Sequence, residues 1–288
     1  MRALVLSGGA DKGAYQVGVL KKWMYEDGVD YDILAGVSVG AINAAYLCQL
    51  PPGNPVEAWS VLRDLWSQVS NAKVRKNWFL FRELAALWKQ SVYNSEPLQR
   101  WIKGGLDDRR IARSGKQLRI VAVSWDSGEA KTITEADSNI ADWVIASSSF
   151  PVMLSPIRIN NELWTDGGVR RVTPLGEAIK AGATEVDVII CSDPYAPDPY
   201  DSKGKAAIPS LALRAMDLMS DEIMRADLKI CGLKNELAAL SGKYRDVKIR
   251  VISPSSPLNT SITQDLDFSQ STITRMINVG YADACKMI

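Results

Sequence analysis

Three short stretches carry groups able to do chemistry. Gly36-Val37-Ser38-Val39-Gly40 lies between the apolar run Ile33-Leu34-Ala35 and the Ala-rich, helix-compatible segment Ala41-Ile42-Asn43-Ala44-Ala45. Strand, turn and helix is the setting in which a G-x-S-x-G pentapeptide works as a nucleophile elbow. The residues two before and two after the Ser crowd each other in so sharp a turn, so Gly suits positions 36 and 40, with Val37 and Val39 flanking the Ser. The Ser takes backbone angles that most residues avoid, and its hydroxyl is pushed outward at a helix start. The second stretch, Gly8-Gly9-Ala10-Asp11-Lys12-Gly13, follows the apolar run 3–7 and precedes a helical pattern with Ala14, Val17 and Leu20 on one face. A Gly-rich loop there bares backbone N–H groups at a positive dipole end and suits an anion, either a phosphate or a developing oxyanion. It lacks the G-K-[ST] of a P-loop and the G-x-G of a dinucleotide fingerprint. An oxyanion hole serving Ser38 is the reading that remains, with nucleotide binding its rival and a plain βα turn the bland alternative. The third stretch is Asp166-Gly167-Gly168, where a strand-like run ends in a tight turn and presents a carboxylate at an element terminus.

The chain contains no histidine. A Ser nucleophile is usually activated by an imidazole. Either Ser38 is idle, or its base is a carboxylate or a Lys. The same absence, with acidic residues not clustered at calcium-loop spacing, argues against a metal, and no cofactor is expected.

The elements that must position these groups alternate. Strands are expected at 3–7, 31–37, 118–125, 129–134, near 162–166, at 186–191 and at 248–252. Helices are expected from 14 to about 23, from the Ser38 turn to about 50, where Pro51-Pro52 stops it, and at 140–148, 174–181, 208–240 and 273–286. Between about 55 and 103 the chain reads as a helical, aromatic-rich insertion carrying Trp59, Trp66, Trp78, Phe79, Phe81, Trp88, Tyr93 and Trp101. Within it, Trp78–Lys89 has an apolar face suited to a core, an acyl pocket or a bilayer surface, core packing being the commoner use. Strand followed by helix argues for an α/β chain, a three-layer α/β/α domain around a mostly parallel central sheet.

The totals narrow the class further. At 288 residues the chain fits one large α/β domain, 1–288, and a net charge of +1 without a dense Lys/Arg block gives no case for nucleic acid. Cys48, Cys191, Cys231 and Cys285 are widely spaced and read as buried reduced thiols. No signal peptide is evident and no apolar run approaches the ~18–20 residues of a membrane span. The expectation is a cytoplasmic protein whose membrane contact, if any, is peripheral.

Taken in order, the Gly-rich loop, Gly-Val-Ser-Val-Gly and Asp-Gly-Gly resemble the patatin-like phospholipase family. Leu6–Leu20, Ala146-Ser147-Ser148-Ser149-Phe150-Pro151 and Leu163–Val169 extend the likeness, which covers roughly 3–50 and 118–192, with a weaker echo at Asp267-Phe268 and Gly280-Tyr281. The resemblance implies a Ser38–Asp166 dyad, with Ser38 the nucleophile and Asp166 the general base, its pKa raised by partial burial. It also implies an oxyanion hole in the loop of Gly8, Gly9, Ala10, Lys12 and Gly13, with donors at Gly8, Gly9 and Ala10. Two positions depart from the family pattern. Ala10 stands where a third Gly is usual, which strains any φ > 0 there, and Lys12 stands where Arg is common. The implied substrate is a lipid or other acyl ester, hydrolysed through an acyl-enzyme. Acyl transfer to an alcohol by the same dyad is one alternative, and a non-catalytic binding module of the same fold is another. No protein partner is indicated.

Overall fold

The computed structural model describes residues 1–76, 90–196, 208–241, 246–258 and 267–287. Its centre is an eight-stranded sheet. The strands are β1 Arg2–Leu6, β2 Ile33–Gly36, β3 Gln117–Ser124, β4 Ala130–Thr134, β5 Ile157–Ile159, β6 Glu162–Asp166, β7 Glu185–Ile189 and β8 Lys248–Ile252, in the spatial order β5-β6-β3-β2-β1-β7-β8 with β4 beside β3. The five strands from β3 to β8 along this path run parallel. β1 and β2 are almost wholly buried, as parallel strands covered on both faces must be, which is why they read as unbroken apolar runs.

The helices are α1 Gly13–Leu20, α2 Val39–Cys48, α3 Pro55–Ser67, α4 Asn71–Val74, α5 Glu96–Gly105, α6 Asp108–Arg113, α7 Ile140–Ser147, α8 Leu175–Lys180, α9 Ile208–Ser241 and α10 Gln270–Lys286. Helix α1 runs on as a π-helical stretch over Lys21–Glu26. One apolar core packs α1, α2, α3, α5, α7 and α10 against Leu4, Leu6, Leu34 and Ile120. The other packs α8 and α9 against Ala3, Val5, Ile33, Ala35, Val186 and Val188. The alternating side chains of β1 and β2 thus feed two opposite faces, and the architecture is the expected three-layer α/β/α.

The chain order reverses at β1. From there it moves outward through β2 and β3, and later returns to add β7 and β8 on the other side. In open α/β sheets the crevice at such a reversal, beyond the carboxyl ends of the strands, is where ligands bind. The Gly-rich loop leaves β1 there.

A seam beside β3 matters as much. β2 pairs with β3 only as far as Gly36 opposite Ile120. Two residues on, Ala122 pairs with Lys131 of β4 and with Asp166 of β6. A strand residue has two edges, so β6 must lie on the edge that β2 vacates. The end of β6 therefore meets the turn that follows β2.

Several boundaries differ from the sequence reading by one to three residues, as frayed ends do. β5 was not expected, because Ile157–Ile159 is too short for period two to register. The region 55–103 contains α3, α4 and α5 and a bridge between Lys76 and Asn94, while Trp78–Lys89 lies outside the described residues. Trp59, Trp66 and Tyr93 are core residues. All four cysteines are free thiols, with Cys285 only half-buried. Among the described residues no helix is long and apolar enough to cross a membrane.

Candidate active site

Ser38 begins as a problem of backbone geometry. It adopts φ 57°, ψ −127° as the residue before α2, a conformation costly for any L-residue with a Cβ. The turn that forces it needs glycine on both sides. A Cβ on Gly36 would stand 2.1 Å from the Gly40 carbonyl oxygen, and one on Gly40 would stand 2.3 Å from that of Leu6. The crowding expected between positions 36 and 40 is therefore present. Ser38 also makes no side-chain cap for its own helix, so its hydroxyl is not spent on local structure. Val37 donates its N–H to Leu6 O at 3.3 Å, which ties the turn to β1, and Val39 packs beneath Gly13.

The Gly-rich loop stands against this turn. A Cβ on Gly8 would lie 3.3 Å from Ser38 Cβ and 4.0 Å from its Oγ. Gly9 has φ 153° and sits so close over Cys191 that a side chain would fall 2.4 Å from Cys191 Cβ. Ala10 occupies the left-handed region at φ 51°, the strained state that an Ala in place of a third Gly implied. The donors divide sharply. Gly8 N–H donates to Val172 O at 3.2 Å and Lys12 N–H to Gly9 O at 2.9 Å, while Gly13 N–H turns back on Ala10 O and Asp11 O. The N–H groups of Gly9 and Ala10 make no backbone hydrogen bond among the described residues. This corrects the expected donor set: Gly8 is fixed to the segment after Asp166, and only Gly9 and Ala10 remain of the expected donors.

A buried chain of amides holds the loop from below. Gln16 Nε2 donates to Ser7 O at 2.9 Å and to Cys191 Sγ at 3.2 Å, and Asn43 Nδ2 donates to Gln16 Oε1 at 2.8 Å and to Gly13 O at 3.3 Å. Trp66 Nε1 closes the chain on Asn43 Oδ1 at 2.8 Å. Gln16 and Asn43 are fully buried. Sequence reading passed over both, although each is a lone amide in an otherwise apolar helix, a pattern that asks for a partner. Burial pushes the Cys191 thiol up to about 11, so it packs under Gly9 as a neutral group.

Asp166 arrives along the seam and is 1% exposed. Its Oδ1 accepts the Gly168 N–H at 2.7 Å, folding the carboxylate into its own turn. The first following glycine is required, since a Cβ on Gly167 would lie 2.2 Å from Val121 O, and the second is tight, since one on Gly168 would lie 3.0 Å from Asp166 Oδ1. Desolvation raises the Asp166 pKa to about 7, against smaller lowering by the Ser38 hydroxyl and the Gly168 N–H. The second oxygen, Oδ2, is buried without a partner at hydrogen-bond length. Ser38 and Asp166, distant in the chain, are thus neighbours, with Gly8 on the flank of Ser38. The carboxylate is more fully buried than the sequence reading supposed.

The chain resembles known proteins at two levels. The patatin-like phospholipase family model matches residues 4–179. The uncharacterized protein YjjU of Escherichia coli (strain K12) is 25% identical over 195 residues, which is 65% of this chain and 51% of that protein. The chain thus spans about half the length of that relative. The crystal structure of VipD from Legionella pneumophila aligns over 99% of this chain and 66% of its own, at 14% identity and a TM-score of 0.47.

Proposed function

The chain belongs to the patatin-like phospholipase family, a family of lipid hydrolases, and on that premise we propose that it cleaves carboxylic esters of lipids through a Ser38–Asp166 dyad. The ester carbonyl sits between Ser38 Oγ and the N–H groups of Gly9 and Ala10. Asp166 Oδ2 takes the hydroxyl proton as Oγ attacks, and the tetrahedral oxyanion forms against those two amides. The carbon–oxygen ester bond then breaks, Asp166 returns the proton to the departing alcohol, and the acyl group stays on Ser38. Water, deprotonated by the same carboxylate, attacks the acyl carbonyl. The fatty acid leaves and Ser38 recovers its proton.

The observation that carries this reading is the placement of Asp166: buried, beside the Ser38 hydroxyl, with one oxygen left over and a pKa near 7. A carboxylate at its ordinary pKa of 3.8 is a poor base. Desolvation makes it a better one without a histidine. The dipole of α2, starting at Val39, favours the negative charge of the oxyanion.

The test is release of fatty acid from a panel of nitrophenyl acyl esters, lysophospholipids and phospholipids by wild type, Ser38→Ala and Asp166→Asn, with fluorophosphonate labelling in parallel. Wild type is expected to turn over an acyl-chain ester and to take the label on Ser38. Both variants are expected to lose turnover by at least about 10³-fold while staying folded. A fully active Asp166→Asn enzyme would overturn the base assignment.

A further inference from the structure

The three serines that close α7 and follow it touch both members of the proposed dyad. Ser147 is 0% exposed and its hydroxyl stands between two backbone groups. It accepts the Ser38 N–H at 3.0 Å and donates to Val121 O at 2.7 Å. Val121 lies between Ile120, where β2 stops pairing, and Ala122, where β6 starts. Its carbonyl faces the seam with no room beside it, since a Cβ on Gly167 would come within 2.2 Å. The Ser147 hydroxyl thus fastens the left-handed turn of Ser38 to the strand on which Asp166 is registered. Two residues later Ser149 O accepts the Asp166 N–H at 3.2 Å and the Thr165 hydroxyl at 2.8 Å. Ser148 Oγ adds a weaker contact: its one hydrogen is shared between Ser38 O at 3.1 Å and Val144 O at 2.8 Å.

We infer that Ser147 is the positioning residue of this site: its hydroxyl relay, from Ser38 N–H to Val121 O, sets the distance between the Ser38 hydroxyl and Asp166. The inference rests on the dyad reading above. It has two consequences. The Ser38 backbone at φ 57° is strained, and with the relay cut the turn keeps its other ties but loses the one to β3, which shifts the hydroxyl relative to the carboxylate. In addition, the Ser38 N–H is already bonded and is not available to the oxyanion, which the reading above assigns to the Gly9 and Ala10 amides. Among the described residues no other side-chain hydrogen bond joins the turn after β2 to β3. The neighbouring Ser149 hydroxyl is used only within its own helix, on Ile145 O at 2.9 Å.

The experiment compares wild type with Ser147→Ala, Ser147→Cys and Ser147→Thr. Steady-state kinetics are measured on the best ester of the panel, and the Asp166 carboxyl is titrated by ¹³C NMR in the folded, uninhibited protein. Ser147→Ala is expected to lower kcat by roughly 10- to 100-fold, the range for sub-ångström misplacement of a reacting group, with KM within about threefold. Its Asp166 midpoint is expected to move to higher pH, because the Ser38 hydroxyl no longer lowers it. Ser147→Thr, which keeps the hydroxyl, recovers most of both. If Ser147→Ala does not fold, Ser147→Cys carries the same readouts with a longer and weaker acceptor.

A Ser147→Ala enzyme with kcat and Asp166 midpoint close to wild type overturns the inference. So does a loss of kcat with an unmoved midpoint and no recovery in Ser147→Thr, which would be the mark of a merely structural residue. Should wild type neither hydrolyse esters nor label at Ser38, the hydrolase reading fails on that result. The NMR midpoint in Ser147→Ala against wild type still decides the positioning role.

Discussion

At the scale of single residues, Asp166 is held at a cost, buried with one carboxylate oxygen lacking a hydrogen-bond partner. Its folded pKa near 7 stands above the ordinary 3.8 because burial penalises the ionised form, and no charged side chain is among the causes. A raised carboxylate pKa means that the folded state binds a proton the unfolded state releases. Its cost is absent below about pH 4, grows as pH rises through the interval to 7, and is constant above that. Asp166→Asn should therefore be more stable than wild type at pH 8, by up to about 4 kcal/mol, and no different near pH 4. Thermal melts of the two proteins at both pH values check this. The same carboxylate gives the rate its pH dependence: kcat/KM is expected to climb through a midpoint near 7 and then level off. Such a profile imitates an imidazole, yet this chain has no histidine to supply one. A profile flat from pH 5 to 8 would remove Asp166 from the role of base.

At the scale of elements, the Gly-rich loop and the elbow differ in how much of them the chain discloses. The elbow was legible because much of it is local: a side chain on Gly36 would collide with Gly40 within five residues, and an apolar strand and an Ala-rich helix flank the pair, whereas the closeness of Gly40 to Leu6 is a tertiary contact. The loop was legible as an anion site but not in its division of labour. Nothing in Gly8-Gly9-Ala10 says that Gly8 N–H would be claimed by Val172, because that contact depends on the crossover from β6 to α8. Ser147 was visible only as part of a resemblance, since its value lies in the edge that β2 vacates, a fact of tertiary register. Asp166 needed the same seam before its pairing with Ser38 had a physical reason. Ala10 offers a test at this scale. Its φ of 51° strains a side chain, so Ala10→Gly should relieve roughly 1 kcal/mol, partly offset by the freer unfolded chain, for a net gain of about 0.5 kcal/mol. The N–H stays, and turnover is expected within about threefold of wild type. Denaturant midpoints and kcat measure the two effects, and a collapse of activity would show that the Ala10 methyl has a role of its own.

At the scale of the whole molecule, the layer architecture places three chain-distant segments at one reversal of strand order, and two layers of helices keep them there. The helix that carries the Gly-rich loop, α1, is itself gripped from outside by α10. The contact is close because both helices present glycine: a Cβ on Gly18 would lie 2.0 Å from Ile277 O, and one on Gly280 2.2 Å from Tyr15 O. Tyr15 OH also reaches Asp283 at 3.5 Å, and Tyr281 OH meets Glu26 at 2.8 Å. Gly280→Ala should prise the pair apart, cost about 1–3 kcal/mol and lower kcat/KM, although residue 280 is remote in sequence from every proposed catalytic group. Melting temperature and kcat/KM are expected to fall together in this variant.

That grip also sets an order of events during biosynthesis. The amides that would receive substrate are translated long before Gln270–Lys286, and their helix lacks its outer cover until that segment has been made and has docked. A growing polypeptide on the ribosome would thus carry Ser38 long before its surroundings were complete, and the activity proposed above would switch on only with the arrival of that later segment.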